Sequence, residues 1–170
     1  MPRKWSKTSS KPSNEAAATS ASPAPPTPTP APHSVPAAPR HSLARVAQLT
    51  RQHGAQHFNL FAKAFVDELS HPDNRAPQRQ ASMIEQEPEL VGEPWIDALL
   101  AGMAEFIAHR SDLRAPAWTE KRERFLSTPK FWGVKPETRA HMLCETPGPF
   151  RRRNLFCGYV WLHANRWDRP

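Results

Sequence analysis

Apolar residues recur at three- and four-residue intervals through the middle of the chain, which is the spacing of amphipathic helices. The clearest run follows Pro94, a residue suited to the first turn of a helix, and predicts a helix that ends near Ser111. Its apolar positions are Trp95, Ile96, Leu99, Leu100, Met103, Phe106 and Ile107. Because burial of each large side chain contributes about 1.5–3 kcal/mol, we expect this helix to form the core of the domain.

Shorter helices are predicted before and after this one. Ser42 is a good N-cap for a first helix, and Gly54 can end it in a left-handed conformation. The predicted helical segments are 42–54, 55–70, 77–86, 119–126 and 136–145. Segment 129–133 is interpreted as a loop that buries aromatic side chains.

The apolar run 155–162 does not distinguish a short helix from a strand, and a helix is favoured because no partner strand is visible. With no internal repeat and no series of alternating strands, the sequence predicts an all-α fold. We expect a small irregular helical bundle over 42–165, followed by a C-terminal tail at 166–170.

The first 41 residues differ sharply from the rest. They contain ten of the twenty prolines and a single aromatic residue, Trp5. Such a segment cannot bury enough apolar area to offset the entropy of ordering, about 1–2 kcal/mol per residue for the backbone. Residues 1–41 are therefore predicted to be a disordered, Pro/Ala-rich tail. Five basic residues and one acidic residue give it +4 of the total formal charge of +7.

The charges of the predicted domain are polarised along the sequence. Residues 80–109 contain six acidic residues and no Lys or Arg, whereas residues 110–153 contain eleven basic and five acidic residues. Two interpretations remain open. The two halves attract each other inside the folded domain, or each half marks a separate partner surface.

The sharpest basic patch is Phe150, Arg151, Arg152, Arg153 and Asn154, which we take as the candidate partner-binding residues. Guanidinium groups form bidentate, charge-assisted hydrogen bonds with carboxylates or phosphates. The alternative is that one or two of these arginines pair with buried carboxylates of the same domain.

No motif predicts catalysis. The chain lacks a nucleophile elbow and phosphate-binding glycine loops, and the acidic run 85–93 is typical of a solvated edge. His141, Cys144, Cys157 and His163 are candidate zinc ligands, but the five residues between Cys157 and His163 make a wider spacing than usual. The preferred interpretation is that both cysteines are small buried apolar residues. We expect no enzyme activity, no cofactor and no bound metal.

The apolar runs and the cysteines of the chain predict the location of the protein. No stretch reaches the roughly 18–20 consecutive apolar residues that span a bilayer, so we expect no membrane partner. Two cysteines indicate no disulfide framework, which favours the cytoplasm.

Several short motifs of the sequence, taken in order, resemble the motifs of a bacterial family of small, functionally uncharacterised proteins. They are Glu87-Pro88-Glu89, Asp97-Ala98-Leu99-Leu100-Ala101, Ala115-Pro116-Ala117-Trp118, Arg124-Phe125-Leu126, Glu145-Thr146-Pro147 and Phe150-Arg151-Arg152-Arg153-Asn154-Leu155-Phe156. The resemblance covers about residues 42–165. This chain departs from the family pattern at Lys130-Phe131-Trp132, where Pro-Trp-Phe is expected, and in its long N-terminal tail.

The resemblance implies a role in two-gene bacterial loci, beside a nucleotidyltransferase-like toxin, as the neutralising or regulatory partner. Our leading hypothesis is therefore a non-catalytic, antitoxin-like protein that acts by stoichiometric protein binding. The alternative is a nucleic-acid-binding regulator that uses the basic tail and Arg151–Arg153, with an affinity that falls steeply as salt rises.

Overall fold

The computed structural model describes residues 41–132 and 135–158, and these residues are predominantly helical, as predicted. The α-helices are α1 Leu43–His53, α2 Phe58–Leu69, α3 Pro77–Ile84, α4 Pro94–Arg110, α5 Arg139–Glu145 and α6 Gly148–Arg151. Shorter 3₁₀ turns are Ala55–His57, Pro72–Asn74, Ala117–Glu120, Arg122–Arg124 and Pro136–Thr138. The predicted tail, apart from His41, lies outside the described residues, as do 159–165 and the predicted C-terminal tail at 166–170.

The two ends of α1 follow from its capping residues. The Ser42 hydroxyl accepts a hydrogen bond from the backbone N–H of Arg45 at 3.2 Å. At the other end, Gly54 has a φ of 96° and its N–H donates to the Thr50 carbonyl at 2.8 Å. The Ser42 cap is confirmed, and α1 ends at Gly54 with a positive φ, although its ψ of 152° differs from that of a left-handed helical cap.

Helix α4 is the centre of the domain, as its apolar spacing predicts. It contacts α1, α3, α6, residues 155–156 and the 3₁₀ turns around Trp118 and Arg124. Two of its buried residues are carboxylates, Asp97 and Glu105. Because Asp and Glu are rarely buried without a partner, these positions require compensating cations nearby. None of the helices in the described part of the chain is both long and apolar enough to cross a membrane.

A close approach between α4 and α6 depends on Gly102. A Cβ atom at this position would lie 2.7 Å from Cε1 of Phe150, well inside van der Waals contact. The Phe150 ring is fully buried against the helix backbone at this notch. The absence of a side chain at Gly102 therefore fixes how closely α6 packs on α4.

The helix predicted over 119–126 is wrong. Two 3₁₀ turns occur there, separated by Lys121, which has an extended backbone with ψ of 140°. Trp118 and Arg124 are both buried. In a continuous α-helix, residues six positions apart point in directions about 120° apart. The break at Lys121 allows both side chains to turn towards α4.

The helix favoured for 155–162 is also wrong at its beginning, and residues 159–162 lie outside the described part of the chain. Leu155–Phe156 forms strand β2, parallel to β1 Lys130–Phe131, with Lys130 opposite Leu155 and Phe131 opposite Phe156. Asn154 has a φ of 58° and redirects the chain after α6. Its carbonyl accepts from the Lys130 N–H at 2.8 Å. The partner strand lies in the segment predicted to be a loop, and two residues are too few to show a strand periodicity.

Candidate functional site

The five residues predicted to bind a partner occupy very different environments. Phe150 and Arg153 are completely buried, Asn154 is half-buried, and Arg151 is exposed. The side chain of Arg152 is 38% exposed. Asn154 donates through Nδ2 to the Leu126 carbonyl at 2.8 Å and thereby holds the chain between α6 and β2. Three of the five residues therefore contribute mainly to the interior of the domain.

Arg153 joins three separate elements from inside the core. Its guanidinium forms an ion pair with Glu105 of α4. It also donates to the Thr119 carbonyl at 2.8 Å and to the Pro149 carbonyl at 2.6 Å. The Phe125 ring centroid lies 4.9 Å from the guanidinium carbon. Burial lowers the pKa of Arg153, and the carboxylate of Glu105 opposes this effect.

Arg152 connects the same carboxylate to the surface. Its Nε donates to Glu105 Oε2 at 2.9 Å, and its terminal nitrogens pair with Glu120. The hydrogen bond with Glu120 raises the pKa of Arg152, and the same bond lowers the pKa of Glu120. Glu120 is consequently ionised at neutral pH.

A second buried arginine, Arg124, was not among the predicted site residues. Its side chain is 1% exposed, and its Nη1 lies 3.6 Å from Oδ1 of Asp97. It also donates to the Pro88 carbonyl. Asp97 in turn accepts from the Val91 N–H at 2.8 Å, and its burial raises the pKa of its carboxyl above the usual value. The signal in the sequence was weak, since Arg124 is one of several charged residues in Lys121–Arg124.

These contacts decide between the two interpretations of the charge polarisation. Glu87, Asp97 and Glu105 belong to the acidic segment, and each pairs with a cation from the basic segment. Those cations are Lys121, Arg124, Arg152 and Arg153. The two halves therefore attract each other within the domain. We call these four cations and the carboxylates that pair with them the arginine network. The carboxylates are Glu87, Asp97, Glu105 and Glu120.

An open groove of about 1000 Å³ lies between α3 and residues 113–120. Its floor contains Ile84 and Trp118, and the indole N–H of Trp118 donates to the Ile84 carbonyl at 3.2 Å. Its walls are mostly apolar and include Ala81, Leu113, Ala115, Pro116 and Ala117. We call this surface the Trp118 groove.

The arginine network fixes one wall of the Trp118 groove. Arg153 holds the backbone at Thr119, and Arg152 pairs with Glu120 beside it. On the opposite side, Lys121 pairs with Glu87 at 2.8 Å. The charged residues that line the groove are Glu85, Glu87, Glu120 and Arg114. Because Lys121 and Arg152 neutralise Glu87 and Glu120, and Glu85 is offset by Arg114, the groove carries little net charge.

Among the described residues, which include the candidate zinc ligands His141, Cys144 and Cys157, no three His, Cys, Asp or Glu side chains converge to hold a metal ion. Cys144 is exposed on α5 and Cys157 is buried. The interpretation of both cysteines as buried is therefore wrong for Cys144, because α5 buries none of its residues. His163 lies outside the described residues.

Comparisons with models of protein families, with curated proteins and with solved structures give no match to this chain.

Proposed function

We propose that this protein is a non-catalytic, cytoplasmic interaction protein, an antitoxin-like or regulatory partner that acts by stoichiometric protein binding. The observation that carries the proposal is the Trp118 groove, an open and mainly apolar surface with rigidly held walls. Protein interaction surfaces commonly combine an apolar centre with a polar rim.

Five of the six motifs that resemble the bacterial family support this proposal, because their residues lie in the lining of the groove or next to it. Pro88 accepts a hydrogen bond from Arg124, and Asp97 lies beside the same guanidinium. Trp118 forms the floor, and Arg153 holds the adjacent backbone. Residues far apart in the sequence thus serve one purpose, which is to keep a binding surface in a fixed shape.

The chemistry of the lining also favours recognition over catalysis. Two of its carboxylates, Glu87 and Glu120, are engaged in ion pairs, and both have lowered pKa values for that reason. A general acid or base near neutral pH needs a pKa shifted towards 7. Carboxylates held in their charged form act instead as fixed recognition points.

Co-purification from the native host tests the proposal. The tagged full-length chain is expressed at its natural level, isolated at moderate salt, and analysed by native mass spectrometry. We expect a complex of fixed stoichiometry, and a nucleotidyltransferase-like protein is the expected partner. Recovery of the chain alone, with no partner at a constant ratio, would contradict the proposal.

Nucleic-acid binding is the second candidate function, and one observation favours it. The rings of Phe131 and Phe156 stack with centroids 4.8 Å apart, and the Arg139 guanidinium carbon lies 5.3 Å from the Phe131 centroid. Both rings are only partly buried, and Lys130 and Arg151 are exposed. Partly exposed aromatic rings beside cations suit the stacking of single-stranded bases.

This second candidate predicts binding of a fluorescent single-stranded oligonucleotide. The affinity should fall steeply between about 50 and 200 mM salt. It should also fall in the variant Phe131→Ala relative to an exposed control, Leu60→Ala. No binding at low salt would eliminate this candidate.

A further inference from the structure

We infer that the ring of Phe156 receives one base of a single-stranded nucleic acid, which extends the aromatic stack formed by Phe131 and Phe156. This inference rests on the second candidate function and names the ring that takes the base and the cations that meet the phosphates. We call Phe131 and Phe156, together with Lys130, Arg139 and Arg151, the stacking surface.

The Phe131–Phe156 pair lies outside the hydrophobic core. Both rings are partly buried, yet neither belongs to the core cluster or to the partly buried apolar side chains that pack against it. Their chain neighbours Leu155 and Trp132 do pack there. Because aromatic rings dominate the energetics of cores and interfaces, a pair held outside the core is suited to an interface.

The two rings differ in what they can still bind. Phe131 contacts Phe156, with ring centroids 4.8 Å apart and planes inclined by 18°, and it also carries the Arg139 guanidinium over its ring. Within the described part of the chain, Phe156 has a single ring contact, the one with Phe131. A stacked ring has two faces, so Phe156 is the member of the pair that can accept a further ring.

The backbone holds Phe156 in position for this role. Phe131 and Phe156 are partners in the register of the two short strands, and the Trp132 N–H donates to the Phe156 carbonyl at 2.9 Å. Arg139 adds a cation–π contact to the other ring of the pair. A ring that is fixed before binding avoids much of the entropic cost of association.

Unpaired cations supply the attraction for phosphates. Lys130 and Arg151 are exposed, and neither forms an ion pair with any residue that the structure describes. Both are hydrogen bonded to Asn154 through the backbone, at 2.8 Å and 2.9 Å. With Arg139, which contacts a ring and no carboxylate, they give three positive charges against the single unpaired carboxylate of the adjoining segment, Glu137. The charge complementarity to a polyanion is therefore available for binding.

A nucleic-acid strand satisfies both halves of this surface at once. Each of its residues carries a phosphate and a base with a π-face, and stacking of bases on aromatic side chains is a general mode of single-strand binding. An acidic peptide would meet the cations but would leave the face of Phe156 unused.

Two labelled single strands of equal length test the stacking, one of deoxyadenylate and one abasic with the same phosphates. In anisotropy titrations with the full-length chain at about 50 mM salt, the deoxyadenylate strand should bind about tenfold or more tightly than the abasic strand. Equal affinity for both strands would overturn the inference. Equal affinity for polyglutamate of the same charge would overturn it as well.

Variants at the ring locate the base. Phe156→Leu keeps an apolar side chain but removes the π-face, so its affinity for deoxyadenylate should fall about tenfold, to that of the abasic strand. Phe156→Trp should retain the wild-type affinity. Phe61→Leu changes a partly buried phenylalanine on α2 and is the matched control, which should stay within about twofold of wild type. No loss in Phe156→Leu, or an equal loss in Phe61→Leu, would overturn the inference.

Circular dichroism verifies that these variants fold, and a measurement on wild type does not depend on them. A 2-aminopurine base in the strand loses fluorescence when its ring stacks. Titration with wild-type protein should therefore quench it, and binding without quenching would overturn the inference.

A charge variant tests the phosphate contact. Arg151→Gln should weaken both strands by the same factor and lower the salt slope of log K by about 1. Lys63→Gln, at an exposed position on α2, should leave the slope unchanged. A loss confined to the deoxyadenylate strand would overturn the assignment of Arg151 to a phosphate.

The same titrations separate this inference from the second candidate function. If both strands bind equally and their affinity falls steeply with salt, the nucleic-acid function stands and the stacking inference is wrong. If neither strand binds wild type at low salt, the second candidate function fails, and this inference fails with it.

Discussion

Replacement of Glu105 by Ala should be one of the most destabilising single changes in the domain. The carboxylate neutralises Arg153, whose side chain is completely buried. Without Glu105, that guanidinium keeps two backbone carbonyl acceptors and the Phe125 ring, while the like charge of Arg152 lies nearby and Glu120 gives a weaker attraction. Removal of one partner from a buried ion pair costs about 3–5 kcal/mol. Since small domains are stable by only about 5–15 kcal/mol, the loss is a large part of the total.

Urea denaturation, followed by circular dichroism, measures this effect on the free energy of unfolding. Glu105→Gln keeps the shape and one hydrogen-bond acceptor, so its cost should be smaller, about 1.5–3 kcal/mol. Glu123→Ala, at an exposed position, is the control and should stay within about 0.5 kcal/mol of wild type. Addition of Arg153→Met to Glu105→Ala should restore part of the stability, because it removes the uncompensated charge.

A cost below about 1 kcal/mol for Glu105→Ala, which is the range of exposed ion pairs, would show that Arg153 does not depend on this carboxylate. Lower stability of Glu105→Ala with Arg153→Met than of Glu105→Ala alone would show the same. Either result would mean that water, or the carboxylate of Glu120, solvates the guanidinium of Arg153.

Three further predictions concern packing, pH and thiol exposure. Gly102→Ala should destabilise the domain by up to about 2 kcal/mol in urea denaturation, because overpacking against Phe150 exceeds the gain of about 1 kcal/mol in helix propensity. Burial raises the pKa of Asp97, so the folded chain binds more protons than the unfolded chain once pH passes about 4. The stability advantage of wild type over Asp97→Asn should therefore shrink between pH 4 and 7 in denaturation series. In a thiol-labelling assay of the native protein, exposed Cys144 should react and Cys157 should react only after unfolding.

Each of these three predictions has a result that would contradict it. An increase in stability for Gly102→Ala would mean that the Phe150 ring moves at little cost. A growing advantage of Asp97 towards neutral pH would mean that attraction to Arg124 outweighs burial. Labelling of both cysteines at equal rates in native buffer would mean that Cys157 is accessible.

The parts of the fold that are encoded locally were predictable. Pro94 and the apolar residues after it define α4, while Ser42 and Gly54 define α1. Each of these signals lies within a few residues of the element that it specifies. Helix periodicity and capping therefore reveal the main helices without any knowledge of their partners.

The parts that depend on distant contacts were not predictable. The strands Lys130–Phe131 and Leu155–Phe156 exist only because they pair with each other. The candidate site shows the same difficulty at the level of single residues. Arg151 and Arg153 look alike in the sequence, yet one is exposed and the other is fully buried. Their difference arises from the docking of α6 on α4, which no local pattern reports.

The distance along the chain between Glu105 and Arg153 has a consequence for synthesis on the ribosome. The two residues are 48 positions apart. At about 5–20 residues per second, α4 is made roughly 2–10 s before its arginine partner. During this interval Glu105 lacks its compensating cation and the notch at Gly102 lacks the Phe150 ring. The nascent domain therefore stays open to chaperones and proteases until Phe150–Asn154 leaves the exit tunnel and completes it.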